Sequence, residues 1–239
     1  MATFLLVHGA WHGAWCWKHL VAALEARGHQ AHAIDLPGNG ADTLPLAEVT
    51  LENCGQRVVD AAAGLSERPI LVGHSMGGGV ISTAAELRPD VFERLVYLTA
   101  FLPIDGKSLA EISQDPTNEV LPKTLVYNDD GISASINPEY LRKAFYKDCS
   151  EGDIAFAQAN LCDQALAPFV TPLKISEARY GSVPRDFIAC RQDEAITYAL
   201  QQKMMAAVPC ENVGTLDTSH SPFFSAPDVV AELLIDFAG

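Results

Sequence analysis

The sequence predicts an α/β fold, a mainly parallel sheet flanked by helices, and three observations carry that prediction. Short apolar runs that end in Gly or Pro turns alternate with segments of helical spacing, the pattern of parallel strands joined by crossover helices. The alternation stops at Pro103 and resumes near Val183. One strand-to-helix junction carries Gly73-His74-Ser75-Met76-Gly77, a G-x-S-x-G string in the context that string requires.

Phe4 to His8 is apolar, ends in Gly9 and reads as a buried strand. His12 to Gly28 carries Trp17, Leu20, Val21 and Leu24 at helical spacing, with Gly28 as the stop. Gln30 to Asp35 is a second strand, closed by the turn cluster Pro37-Gly38-Asn39-Gly40. Thr50 caps a helix over Leu51 to Leu65. Pro69 to Gly73 is a third strand, Met76 to Leu87 a helix, and Arg94 to Ala100 a fourth strand. After the interruption come a strand at Arg185 to Cys190, a helix near Thr197 to Val208, a strand at Glu211 to Leu216 and a last helix at Pro227 to Phe237. Residues 1–102 and 183–239 therefore form one core. Residues 103–182 form an insertion with helical pieces at Pro138 to Cys149 and Glu151 to about Leu166, expected to be a mostly helical lid over the site.

Composition narrows the function. With 16 Lys+Arg against 30 Asp+Glu the chain carries a net charge of −14 and no basic patch, which argues against nucleic acid as a partner. No apolar run approaches the ~18 residues needed to span a membrane. The N-terminus has no basic stretch or cleavage site, and six cysteines at 16, 54, 149, 162, 190 and 210 lack zinc-like spacing. Free buried thiols and a cytoplasmic location are the expectation. His8 and His12 are separated by a turn and are not expected to bind metal, and Gly38-Asn39-Gly40 lacks the glycines of a dinucleotide site. No cofactor is expected.

The Ser75 string has a physical logic. A serine on a sharp strand-to-helix turn stands above the sheet edge, and its neighbours two before and two after must be small. The Met76 N–H, at the positive end of a helix, points toward the reacting oxygen. A serine hydroxyl needs a base, and in this arrangement acid and base follow the serine in the order Ser, acid, His. His220 is the one histidine C-terminal to Ser75, on the loop after the strand Glu211 to Leu216. Asp193, on the loop after Arg185 to Cys190, is the favoured acid, with Glu194 and Asp217 as alternatives. The first strand ends in His8-Gly9-Ala10-Trp11, where the Ala10 N–H would complete an oxyanion hole with Met76. Trp11 is the tryptophan expected nearest the pocket.

The chain resembles the α/β-hydrolase superfamily, in its branch of plant methyl esterases and hydroxynitrile lyases. The resemblance rests on His8-Gly9-Ala10-Trp11-His12-Gly13-Ala14-Trp15-Cys16-Trp17, on Leu71 to Gly78 running on to Ala100-Phe101-Leu102-Pro103, and on Tyr180 to Arg185. It implies a six-stranded core and oxyanion donors at Ala10 and Met76. Lyases of this branch carry Thr where Gly9 stands and Lys directly after the catalytic His, where this chain has Ser221. Without that cation a leaving cyanide loses its electrostatic stabilisation.

The resulting expectation is a serine carboxylesterase for small apolar, aryl or methyl esters, with Ser75, His220 and Asp193 as its triad. Gly9, Trp11, Phe101, Phe145, Leu161, Phe169 and Phe223 are expected to line its pocket. The partner is a small-molecule ester, and a homodimer stays open. Lyase, lactonase or perhydrolase chemistry is the first alternative, and a ligand-binding sensor with little turnover the second.

Overall fold

A computed structural model describes residues 1–239. Its strands are β1 (Thr3–Val7), β2 (Gln30–Ile34), β3 (Ile70–His74), β4 (Arg94–Leu98), β5 (Leu125–Tyr127), β6 (Ser133–Ile136), β7 (Gln164–Ala165), β8 (Arg185–Cys190) and β9 (Val213–Leu216). Six of them form one parallel sheet in the order β2-β1-β3-β4-β8-β9. The central strands β1 and β3 are buried along their whole length, because helices cover both faces of the sheet. At the rims, β9 alternates exposed with buried residues, and β2 alternates exposed with half-buried ones before the buried Ile34.

The chain runs from β1 out to β2, then crosses back over β1 to β3. That reversal opens a crevice at the carboxyl ends of β1 and β3, the usual place for a ligand in an open α/β sheet. It sets the loop after β1, which carries Gly9 and Ala10, beside the turn that carries Ser75.

Element ends differ from the sequence expectation where the backbone must turn. The first helix does not begin at His12. A 3₁₀ turn at Ala14–Trp17 precedes a helix at Lys18–Ala26, because Trp11 has φ 64° and Gly13 is extended. Gly28, at φ 81°, ends that helix as expected. Thr50 caps Leu51–Ala63 in a capping box, accepting from the Asn53 N–H at 3.0 Å while the Asn53 side chain accepts from the Thr50 N–H. Strand β4 ends at Leu98 rather than Ala100, because Thr99 turns the chain with φ 38°.

Residues 103–182 are less helical than expected: helices at Leu109–Ser113, Leu121–Thr124, Pro138–Phe145, Glu151–Asn160 and Ala167–Val170 are their main regular structure, and loops make up much of the rest. They also contain a small antiparallel sheet, β5-β6-β7, that the sequence reading lacks. The β5–β6 hairpin turns on Asn128-Asp129-Asp130-Gly131, with Gly131 at φ 69°. The helix from Glu151 stops at Asn160 instead of reaching Leu166, since Leu161 is extended, and this frees Gln164 to join the sheet. All six cysteines are free; Cys16, Cys54, Cys149 and Cys190 are buried as expected, while Cys162 and Cys210 are only half-buried.

Candidate active site

Ser75 closes β3 with φ 54°, the left-handed region that costs a non-glycine residue energy. The flanking glycines make the turn sterically feasible. A Cβ on Gly73 would lie 2.8 Å from the Gly77 carbonyl oxygen, and one on Gly77 would lie 2.8 Å from that of Val7. Any side chain there would push the serine turn off the sheet.

His220 lies on the loop after β9, and its Nδ1 donates to Asp193 Oδ2 at 2.6 Å. The other oxygen, Oδ1, accepts from the Ala195 N–H at 2.7 Å and the Ile196 N–H at 2.9 Å, and Thr99 Oγ1 donates to Oδ2. Four donors thus fix a buried carboxylate, which holds the imidazole in one tautomer and one orientation. His220 Nε2 is left as an acceptor. It is buried and bonds to no protein group, the Ser75 hydroxyl included; in unliganded sites such contacts are often long and tighten around a reactant.

The alternative acids point elsewhere. Glu194 is ion-paired to Lys147 at 3.0 Å and Lys143 at 3.5 Å, and these cations hold its carboxyl below the usual range in spite of partial burial. Asp217 accepts from Gln192 Nε2 at 3.0 Å on the surface.

Ala10 and Met76 are both buried, and their N–H groups make no hydrogen bond within the protein. The neighbouring Trp11 N–H is taken by Gln164 Oε1 at 3.1 Å. His8 and His12 shape this loop through hydrogen bonds. His8 Nδ1 donates to the Gly9 carbonyl at 2.7 Å, and Nε2 accepts from the Leu36 N–H at 3.1 Å. His12 Nδ1 donates to the Ala10 carbonyl at 2.7 Å. Burial lowers the pKa of His8 to about 4 and of His12 to about 3, so both are neutral at pH 7.

The expected pocket residues separate into groups. Trp11 and Phe169 line a mostly apolar cavity of about 210 Å³, with Leu121, Pro122, Leu125 and Leu166. Phe101 packs edge-on to Phe169 at 6.5 Å. Phe145 lies between Trp11 and His220, with ring centroids at 5.8 Å and 5.5 Å. Phe223 sits behind the site, against His74 at 4.9 Å and Trp17 at 5.0 Å. Leu161 lines a separate groove with Pro138, Leu141 and Cys162, because the chain turns away after Asn160. Thr99, His74, Tyr146 and Gln164 also reach the site. Of these, His74, inside the serine string, and Thr99, a polar residue ending an apolar strand, carry a signal in the sequence.

The family model described as the Alpha/beta hydrolase family matches residues 4–233. Methylesterase 7 of Arabidopsis thaliana is 34% identical, over 98% of this chain and 95% of its own length. The crystal structure of polyneuridine aldehyde esterase superimposes with a TM-score of 0.90 at 26% identity, covering 100% of both chains. That of the pyrethroid hydrolase PytH gives 0.87 at 31%, over 99% of this chain and 97% of that one. With a serine turn, a carboxylate-bound histidine and a glycine loop at the ends of neighbouring strands, the chain belongs to the alpha/beta hydrolase family, in the branch of the plant methylesterases.

Proposed function

We propose that this carboxylic ester hydrolase is a serine esterase for small apolar esters, aryl or methyl, with Ser75, His220 and Asp193 as its triad. The observation that carries this reading is the Asp193–His220 hydrogen bond, which leaves His220 Nε2 as a bare acceptor on the loop facing the strained serine turn. Ser75 attacks the ester carbonyl as Nε2 takes its proton. The oxyanion receives the free N–H groups of Ala10 and Met76. The imidazolium, stabilised by Asp193, then protonates the leaving alcohol. Water, deprotonated by the same nitrogen, releases the acid from Ser75.

Residues 103–182 act as a lid, and the cavity of Trp11 and Phe169 takes the apolar part of the ester. Likeness to a methylesterase and to a pyrethroid hydrolase supports the ester reading. Cyanohydrin cleavage fits poorly. A Cβ on Gly9 would lie 2.8 Å from Ser75 Cβ and 2.9 Å from His74 Nδ1, so a threonine has no room there, and Ser221 brings no cation. Six free thiols suit a reducing compartment, and we place the protein in the cytoplasm.

The test is hydrolysis of p-nitrophenyl acetate and butyrate by wild type and Ser75→Ala, with the acyl-enzyme burst recorded. Wild-type turnover should fall by ~10³-fold or more in the variant. Equal rates would sink the nucleophile assignment.

A further inference from the structure

Four consecutive residues between the helices Pro138–Phe145 and Glu151–Asn160 reach three loops of the site, those of Ala10, Asp193 and His220. Tyr146 Oη donates to His12 Nε2 at 2.6 Å. The donor is fixed by elimination: neutral His12 has one N–H, and the Ala10 carbonyl, an acceptor only, claims it on Nδ1. Burial also keeps the Tyr146 phenol protonated, its pKa well above 10. Lys147 Nζ pairs with Glu194, next to Asp193, at 3.0 Å. Asp148 Oδ2 accepts from the Ser219 N–H at 2.9 Å, and Oδ1 accepts from the Ser219 hydroxyl. Cys149 Sγ approaches the Ser221 carbonyl at 3.9 Å, so His220 is held on both sides.

We infer that Tyr146 to Cys149 is a brace that sets the oxyanion loop and the histidine loop relative to one another, with Tyr146 and Asp148 as positioning residues. Tyr146 acts through His12 on Ala10, and Asp148 acts through Ser219 on His220. The insertion is then part of the catalytic framework as well as a cover for the pocket. Catalytic groups misplaced by a fraction of an ångström lose rate while substrate binding is little affected. The inference rests on the serine esterase reading.

The experiment compares Tyr146→Phe, Asp148→Leu, Asp148→Asn and Ser75→Ala in hydrolysis of p-nitrophenyl acetate. Inactivation by diethyl p-nitrophenyl phosphate and the thermal midpoint are measured beside it. Glu86→Ala is the control, because Glu86 tethers the far end of the insertion through Ser176 and Tyr180. The expected result is a loss of about tenfold in kcat and in inactivation rate for Tyr146→Phe and Asp148→Leu, with KM within about twofold. Asp148→Asn, which keeps an acceptor for Ser219, recovers most of the rate. Glu86→Ala lowers the thermal midpoint and keeps kcat. Unchanged kcat in Tyr146→Phe and Asp148→Leu, with Ser75→Ala inactive, overturns the brace and spares the esterase. Loss of kcat in proportion to melting temperature across all variants, Glu86→Ala included, overturns it too. Activity persisting in Ser75→Ala removes the esterase reading and the brace with it.

Discussion

His74, the residue directly before Ser75, donates its Nε2 proton to the backbone carbonyl of His220 at 2.8 Å. The turn that presents the serine therefore also holds the loop that presents the histidine. The two rings lie 4.6 Å apart. Burial and the neighbouring histidines push the pKa of His74 well below 6.5, so it remains a neutral, single-proton donor. Its Nδ1 is buried without a partner.

Replacing His74 by Phe keeps an aromatic ring but strands a buried carbonyl. The expected cost is about 1–3 kcal/mol of stability and about tenfold in kcat, as the His220 loop loses its tether. Urea unfolding and esterase rates on the same preparation check this. Wild-type values for both would show that the bond positions nothing.

Thr99 offers a sharper separation of geometry from chemistry. It is a β-branched residue at φ 38°, a conformation kept only where something holds it. Here its hydroxyl donates to Asp193. Thr99→Val keeps the shape and the backbone strain and removes only the donor. The expected result is a fall of about tenfold in kcat with KM nearly unchanged, and partial recovery in Thr99→Ser. If Thr99→Val equals wild type, the other three donors to Asp193 suffice.

The contrast between Ser75 and Thr99 shows what a sequence carries. The serine turn is legible because all its requirements are local: an apolar strand, two glycines and a helix within about ten residues. The His220–Asp193 pairing is legible because both lie on loops directly after core strands, although what separates Asp193 from its neighbour Glu194 is tertiary: Asp193 turns inward to His220 and the Ala195 and Ile196 N–H groups, and Glu194 outward to Lys143 and Lys147. Tyr146, Asp148 and Gln164 leave no such trace. Their partners lie 134, 71 and 153 residues away, and nothing in their surroundings marks them as more than surface or helix residues. The small sheet of the insertion is hidden for another reason: strands of two to four residues are too short to show a period of two.

Gly9 tests the choice between esterase and lyase chemistry. A side chain there meets the serine Cβ and His74 Nδ1 inside van der Waals distance, and neither neighbour is a free chain end. Gly9→Thr should cost about 1–3 kcal/mol in stability through overpacking, abolish most ester hydrolysis and yield no mandelonitrile cleavage. Gly9→Ala should fall between. A stable Gly9→Thr variant that cleaves mandelonitrile would show that the loop has room for lyase chemistry.

Three buried neutral histidines make the fold sensitive to acid in a defined window. In the unfolded chain His8, His12 and His74 each gain a proton as pH falls through ~6.5. In the folded state His8 resists to about 4, His12 to about 3, and His74 is held well below its ordinary value. Between those limits the unfolded state binds more protons, so unfolding free energy rises with pH and is lost on acidification. The slope approaches about 1.4 kcal/mol per pH unit for each histidine. Asp90 and Asp115, held at about 2 by Arg88 and Lys203, act mainly below pH ~4, and Glu111 and Glu194, also held below their ordinary value, add to the loss only at the acid edge of this window. Urea unfolding should therefore lose stability steeply between pH 6.5 and 4.5. His12→Gln should flatten the slope by about one third, whatever it does to stability at pH 7. A flat wild-type profile across that window would mean that the buried histidines take up protons in the native state as readily as in the unfolded one.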